Sequence, residues 1–589
     1  MSHKPYKDFE PKWVNTPAPK NSYRSIFRWG DPEFFKYPKE TLYKMMKEKF
    51  KMTDEDFKQY KFEGCGMEEV KLDDPKYAPK IEQRHVDKLI EICGKENVSQ
   101  NDYDRLAVAY GQTGFDLLRL RNKQIDSLPD VVVYPGSHDE IAKIVEYVTK
   151  EKIHLYVYGG GSSVTRGVEP IYGGVSLDLR RNFNKVIKFN EIDQTITVQA
   201  GMSGPDLEHH LNNAVKEFGA TRAYTCGHFP QSFVYSSVGG WVVTRGAGQN
   251  STYYGCISDI VLSQRYATPI GEINTSHYSR EATGPNINQI MMGGEGTFGV
   301  LTDVTLKVFR YMPENRKRFS YIFHNWDDAM KAGREMMQCE CGYSSVFRLS
   351  DPEETNLMLR LYNVDEMPII PQLFKLRGYK DMERCLFLGF SEGEKGYAKN
   401  VAKNIKRIAH KYGGMSLTGL VCKSWEKGRF NDPYLRDTLM DYGITIDTME
   451  CTVNWSNMEK VHSEVRKVCH AMPNMIVTTH MSHCYPQGAN LYWIFMGKIS
   501  EVEKFREYHA SILDAIQKNG ASMSHHHGIG KMFGPWLEGQ LGHNEFGIIK
   551  VLKDYFDKDY LMNAGGTLGL DTKQKDKHYN REDIQRIDD

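Results

Sequence analysis

The chain lacks a charge imbalance: its 589 residues carry 76 Lys plus Arg against 76 Asp plus Glu. No global field draws it to nucleic acid, so any anion site has to be local. It also lacks paired cysteines. Eleven are scattered without a C-x-x-C, and the closest two, Cys339 and Cys341, suit neither a zinc knuckle nor a redox motif. Reduced thiols in a non-secreted protein are the expectation. No apolar run approaches the ~18 residues of a spanning helix, and no signal peptide opens the chain. The last five residues, Gln585 to Asp589, are not a Ser-Lys-Leu address.

What the chain has is clustered glycine. YGGGSSVTRG, residues 158–167, follows the apolar run Leu155, Tyr156, Val157. Three glycines in a row let a tight loop bring several backbone N–H groups to one point, as pyrophosphate binding requires. Ser162, Ser163 and Thr165 add hydroxyl donors. The loop is no Walker motif, because no Gly-Lys-Ser/Thr follows, and strand-like sequence rather than a helix comes after it. SSVGGWVVTRGAGQNSTYYG (236–255) and GGEGTFGV (293–300) are two more clusters, each flanked by β-type sequence. One extended ligand touched by three backbone loops explains them better than three unrelated turns.

The length allows two to four domains at ~150 residues each. Residues 1–125 read as a polar, mobile arm (Lys4, Pro5, Lys12, Pro17, Pro19, Lys20) followed by charged helices near 41–46 and 85–93. Residues 126–310 hold the glycine clusters. Val131 to Tyr134 reads as a buried strand, and Ser137 with Glu140 as a capping box for the helix 141–148. The next strand leads into the glycine loop, so the loop closes a β-α-β unit. Short strands at 175–179, 186–189 and 195–200 follow, then a helix from Pro205 to Phe218 capped by Ser203. This is α+β, not a repeated Rossmann array. Residues 311–520 carry amphipathic patterns at 326–337, 397–412 and 459–469 and read as a second α+β domain. Residues 521–589 carry SHHHGIGK (524–531), a helix near 546–556 and a charged tail, 571–589, expected to be solvated.

Pro135, GGGSS, Gly239-Gly240-Trp241 and GGEGTFGV, in that order, resemble the FAD-binding (PCMH-type) domain of the vanillyl-alcohol-oxidase superfamily. SSVFRLSD (344–351), PYLRD (433–437), NLYWIF (490–495) and SHHHGIGK resemble one branch of it, the alkyldihydroxyacetonephosphate synthases, from about residue 125 to 565. The resemblance implies a two-subdomain FAD domain, an α+β cap over the flavin ring and a helical N-terminal region. It implies non-covalent FAD, since no His or Cys stands in 158–167 to tether it, although Val157-Tyr158 replaces the usual Pro-x before the loop. The cofactor residues it implies are Val157, Tyr158, Gly159, Gly160, Gly161, Ser162, Ser163, Gln231, Ser232, Ser236, Ser237, Gly240, Thr244, Arg245, Glu295, Gly296, Thr297, Gly299 and Val300.

The implied reaction exchanges the acyl chain of acyl-dihydroxyacetone phosphate for a long-chain fatty alcohol, without net redox change. The flavin N5 is implied to hold the substrate carbon as an electron sink. Tyr492 corresponds to the acid/base, although pattern alone favours a core tyrosine beside Trp493 and Phe495. His525, His526 and His527 correspond to groups that bind the leaving carboxylate and move protons. Adjacent side chains in an extended segment point apart, so at most two of them could share a metal, and no metal is expected. Arg436 corresponds to the phosphate anchor, with a surface pair to Asp432 or Asp437 as the plainer alternative. Arg348 orients the histidines or supports substrate. His480 and His483 read as structural. The 26 methionines suit an adaptable lipid channel as well as they suit a core. A peripheral membrane contact, a homodimer and a peroxisomal location also come with the resemblance. The reading from another class is an FAD-dependent 2-hydroxy-acid dehydrogenase or oxidase on the same fold.

Overall fold

The structure, a computed structural model, describes residues 16–36, 38, 40–58, 65–364 and 367–581. Strand Val131–Val133 is buried on both faces, and only parallel neighbours covered by helices make that arrangement favourable. It pairs in parallel with Val175–Asp178, which pairs in parallel with Leu155–Tyr158, and Val98–Ser99 adds an antiparallel edge. The helix His138–Glu151 makes the crossover and buries Ile141, Ile144, Val145 and Val148, one apolar stripe. Its cap is close to the one expected. The Ser137 side chain accepts from Glu140 N, while the Glu140 carboxylate reaches Gly136 N at 2.8 Å. The glycine loop thus leaves the carboxyl end of a parallel strand, where open α/β sheets hold ligands.

The second half of this domain is a five-stranded antiparallel sheet in the order 186–190, 195–199, 300–307, 261–268, 271–274. Two details differ from expectation. The segment Val238–Val243 is a helix rather than β-type sequence, because Ser237 caps it and Gly239 lets it lie against Ala200, where a Cβ would come within 2.7 Å of the alanine methyl. The single helix expected over 205–218 is two, Gly204–Asn212 and Ala214–Phe218, broken at Asn213.

The cap is a seven-stranded antiparallel sheet, ordered 415–416, 317–323, 385–391, 346–350, 476–484, 488–498, 444–454. Its period-2 alternation does the positioning. In strand Gly488–Lys498, Leu491, Trp493 and Phe495 are fully buried, while Tyr492, Ile494 and Met496 face a cavity. Tyr492 and Trp493 therefore never share a face, and the tyrosine is not a core residue.

Both chain ends differ from expectation. Residues Lys4 to Lys12 of the expected arm lie outside the described residues. Pro17, Pro19 and Lys20 are exposed, but from Ser22 on the segment is docked: Arg24 and Arg121 together grip Asp437 and Asp441 at 2.6–3.3 Å, all four side chains buried. This clamp ties the N-terminal region to the helix Asp432–Met440. Trp29, Lys36 and Leu42 consequently line the cavity. At the other end, residues 573–576 are exposed as expected, but residues 577–581 are packed. His578 stacks on Trp536 at 4.0 Å, Lys577 pairs with Glu538, and Asn580 bonds Gln517.

Candidate active site

One cavity of about 550 Å³ runs between the FAD-type domain and the cap sheet. All three glycine clusters reach it. A Cβ on Gly160 would strike the carbonyl of Tyr235 and come within 2.7 Å of Ser236 Cα, so that glycine lets two loops of the cradle touch. Of the residues expected at the site, all line the cavity except Tyr158, Ser236, Arg245, Thr297, Val300 and His525. The Tyr158 ring lies under the Arg180 guanidinium at 4.6 Å. Ser236 accepts the Trp241 indole N–H at 2.7 Å. Arg245 reaches Gln289 at 3.3 Å. Thr297 donates to Gly294 O at 2.6 Å, and Val300 opens a strand.

Glu295 joins the third glycine cluster to the histidine segment: its carboxylate accepts from Ile529 N and Gly530 N, both at 2.7 Å. Burial pushes that carboxyl up to about 7, and burial pushes the nearby Lys531 ammonium down to about 7.

Tyr492 sits among imidazoles. Ring centroids lie 5.0 Å away for His480, 5.9 Å for His526 and 5.5 Å for His527. Burial pushes its phenol up to about 12, with a Thr448 hydrogen bond and the Arg348 charge pulling the other way. The free site therefore holds Tyr492 as a proton donor. Arg348 contacts His480 Nε2 at 3.1 Å and Glu354 at 2.6 Å, and Glu354 also accepts from His480 Nδ1 at 3.1 Å. Desolvation opposes the Glu354 charge, but Arg348 and His480 hold its carboxyl down at about 2. Arg348 thus acts on His480, not on the triple histidine.

Arg436 makes neither expected surface pair. Asp432 pairs with Lys36, and Asp437 with the two arginines of the clamp. Arg436 instead donates to the Gln112 backbone and side-chain oxygens, both at 2.7 Å, and its Nε is buried with no partner among the described residues. Burial lowers its pKa, opposed chiefly by the charge of Asp447. The Asp447 carboxyl, itself buried, is pushed up to about 6.

The three histidines are set by one buried carboxylate that the sequence did not single out. Glu450 accepts the backbone N–H groups of His525, His526 and His527 at 2.8–3.1 Å and the Asn490 amide at 2.6 Å. His525 leaves the cavity lining and bonds the Tyr485 hydroxyl at 2.9 Å. Ring nitrogens of His483, His525 and His526 come within 4.8 Å of one another, so His483 is part of the cluster rather than merely structural. The Nδ1 atoms of His525 and His526 are hydrogen-bonded to each other at 3.1 Å, which makes the cluster a proton network as it stands. Glu450→Gln leaves the shape but presents N–H₂ to backbone donors. We expect the loop to shift and turnover to fall about 10²-fold, the scale of a 1 Å misplacement, with FAD still bound. Steady-state rates and flavin content of the purified variant check this.

FAD fits the residues present. Glycines form the cradle, and buried polar atoms without partners among the described residues border the cavity: both nitrogens of His228, Arg348 Nε, Arg436 Nε and His527 Nδ1. Such orphans call for a polar ligand. Gly-rich cradle, facing cap sheet and enclosed acid–base cluster define an FAD-linked enzyme. Residues 129–276 match the FAD binding domain model and residues 312–567 the model of the C-terminal domain of FAD linked oxidases, so the chain carries both of these domains. The chain is similar to alkyldihydroxyacetonephosphate synthases. It is 28% identical over 553 residues to that of Dictyostelium discoideum (90% of this chain, 88% of the relative). It is 27% identical over 520 residues to that of Trypanosoma brucei brucei (85% and 82%). A solved alkyldihydroxyacetonephosphate synthase superimposes with TM-score 0.70 at 27% identity, covering 82% of this chain and 86% of that one.

Proposed function

We propose that the protein is an ether-forming enzyme of this kind: it exchanges the acyl chain of acyl-dihydroxyacetone phosphate for a long-chain alcohol and releases the fatty acid. The observation that carries the reading is the placement of a buried arginine, an acid–base cluster and an apolar lane in one cavity. Arg436, hydrogen-bonded to the neutral Gln112 and near the Asp447 carboxyl, receives the phosphate dianion. Tyr492, with His480, His526 and His527 around it, gives and takes the proton on the carbon beside the ketone. Leu42, Leu357, Met358, Leu361, Ile494 and Met496 line the part of the cavity that takes the chains. Bound FAD, held without a covalent link, supplies an electron sink with no net redox change.

Tyr362 lines the cavity and is 54% exposed, and the segment after it exposes Ile369 and Leu376. This apolar rim suits contact with a membrane surface that delivers both lipids. The peroxisomal location and the homodimer carried by the resemblance belong to the same proposal. The 2-hydroxy-acid dehydrogenase reading is not favoured, because the two synthases are 27–28% identical over 85–90% of this chain, whereas a glycolate oxidase subunit and a D-lactate dehydrogenase are 22–23% identical over 74–83% of it.

The test is product analysis with acyl-dihydroxyacetone phosphate and an isotope-labelled long-chain alcohol. Labelled ether and fatty acid in equal amounts support the reading, whereas oxidised substrate without ether removes it. Arg436→Leu should weaken binding of the phosphate substrate by ~2–5 kcal/mol, the scale for truncating one partner of a buried charge pair. Substrate titration of the variant with FAD bound reads this, and an unchanged affinity takes the phosphate away from Arg436.

A further inference from the structure

The reaction proposed above leaves a proton behind. An ester and an alcohol give an ether and a carboxylic acid, and the acid is ionised at neutral pH. The proton is produced beside Tyr492, His526 and His527, all lining the cavity. A line of hydrogen bonds leads out of it. His526 Nδ1 lies 3.1 Å from His525 Nδ1, and His525 Nε2 lies 2.9 Å from the Tyr485 hydroxyl. Tyr485 is half-buried, and the Cys256 thiol, also half-buried, is 3.0 Å from the same hydroxyl. Each junction joins groups that can both donate and accept, as a chain of proton transfers requires. Nothing in the chemistry of the cavity itself uses Tyr485. It sits at the turn of the hairpin whose two strands carry His480, His483 and Tyr492, outside the lining.

We propose that His525 and Tyr485 form the proton exit of the active site, an inference that rests on the ether-forming reaction. The proton passes from His526 Nδ1 to His525 Nδ1. His525 then releases its Nε2 proton to the Tyr485 oxygen, and Tyr485 releases its hydroxyl proton to water. Each ring then carries its proton on the opposite nitrogen, so a flip of the two rings and rotation of the hydroxyl restore the donor order, and the number of protons on each member is unchanged. The Cys256 sulfur orients the hydroxyl. Glu450 fixes the line, since it accepts the His525 backbone N–H at 2.8 Å, and its negative charge favours a transient imidazolium. Other titratable groups facing the route are His483, 5.2 Å from His525 between ring centroids, His527, and Asp259, which accepts from Cys256 N at 2.9 Å.

The experiment compares wild type, Tyr485→Phe and His525→Gln as FAD-loaded enzymes, in H₂O and D₂O, with and without added imidazole. Both variants should keep their KM for acyl-dihydroxyacetone phosphate. Their kcat should fall about tenfold, below the 10²–10⁴ of a direct acid–base residue. Their solvent isotope effect on kcat should rise, and imidazole should restore part of the rate. A lost packing contact would change neither the isotope effect nor the response to imidazole. Wild-type kcat and isotope effect in Tyr485→Phe, or losses in both variants that ignore imidazole, overturn the exit route. If Tyr485→Phe fails to retain FAD, His525→Gln decides alone by the same criteria. Absence of ether from the wild type removes the reaction itself, and the exit route with it.

Discussion

Tyr492→Phe should bind FAD and substrate much as the wild type does and turn over ~10²–10⁴-fold more slowly, the range for a lost acid–base group. The substitution deletes one oxygen from a ring that packs between imidazoles, at 5.0 Å from His480 and 5.9 Å from His526. Phenylalanine keeps that stacking, so the strand and the cavity wall should hold. What goes is the hydroxyl, which burial holds as a donor with a pKa near 12. Because the interaction is made only while the proton moves, kcat and kcat/KM should fall together and KM should stay. A variant with wild-type kcat would take the acid–base role from Tyr492. A rise in KM at constant kcat would make it a binding residue instead.

Gly160→Glu should yield protein without flavin. The first added carbon would already meet the Tyr235 carbonyl and lie 2.7 Å from Ser236 Cα, so the two loops of the cradle have to separate. The remaining carboxylate would then occupy the cavity where pyrophosphate belongs and repel it. Fold and core should survive, because the strand Leu155–Tyr158 ends before the loop. Absorbance of the purified variant reads the outcome: wild-type flavin stoichiometry would show that this loop does not carry the cofactor.

Much of this site was legible because its signals are local. Glycine clusters mark backbone cradles, and each of the three reaches the cavity. Ser137 and Glu140 announced a helix start because capping chemistry is written in four consecutive residues. The partners that set the side chains were not legible, for a physical reason. Glu450 gains its role only when strand 444–454 pairs with strand 488–498 and brings it opposite Tyr492. Gln112 meets Arg436 across 324 positions of chain. His480 could have been found: Pro486-Gln487-Gly488 is a turn signal between two β-type runs, and a hairpin closed there pairs His480 with Tyr492. The docked N-terminal segment depends on Arg24 finding Asp437 and Asp441, and charged residues near a chain end look the same whether clamped or free.

The most direct test of the account is spectroscopic and strictly anaerobic. Acyl-dihydroxyacetone phosphate added to the oxidised holoenzyme should lower the flavin absorbance as fatty acid is released. A long-chain alcohol, added with oxygen still excluded, should restore it while the ether appears, because no electrons have left the substrate. Recovery that requires oxygen or a redox dye and ignores the alcohol would contradict the account and make the protein a dehydrogenase.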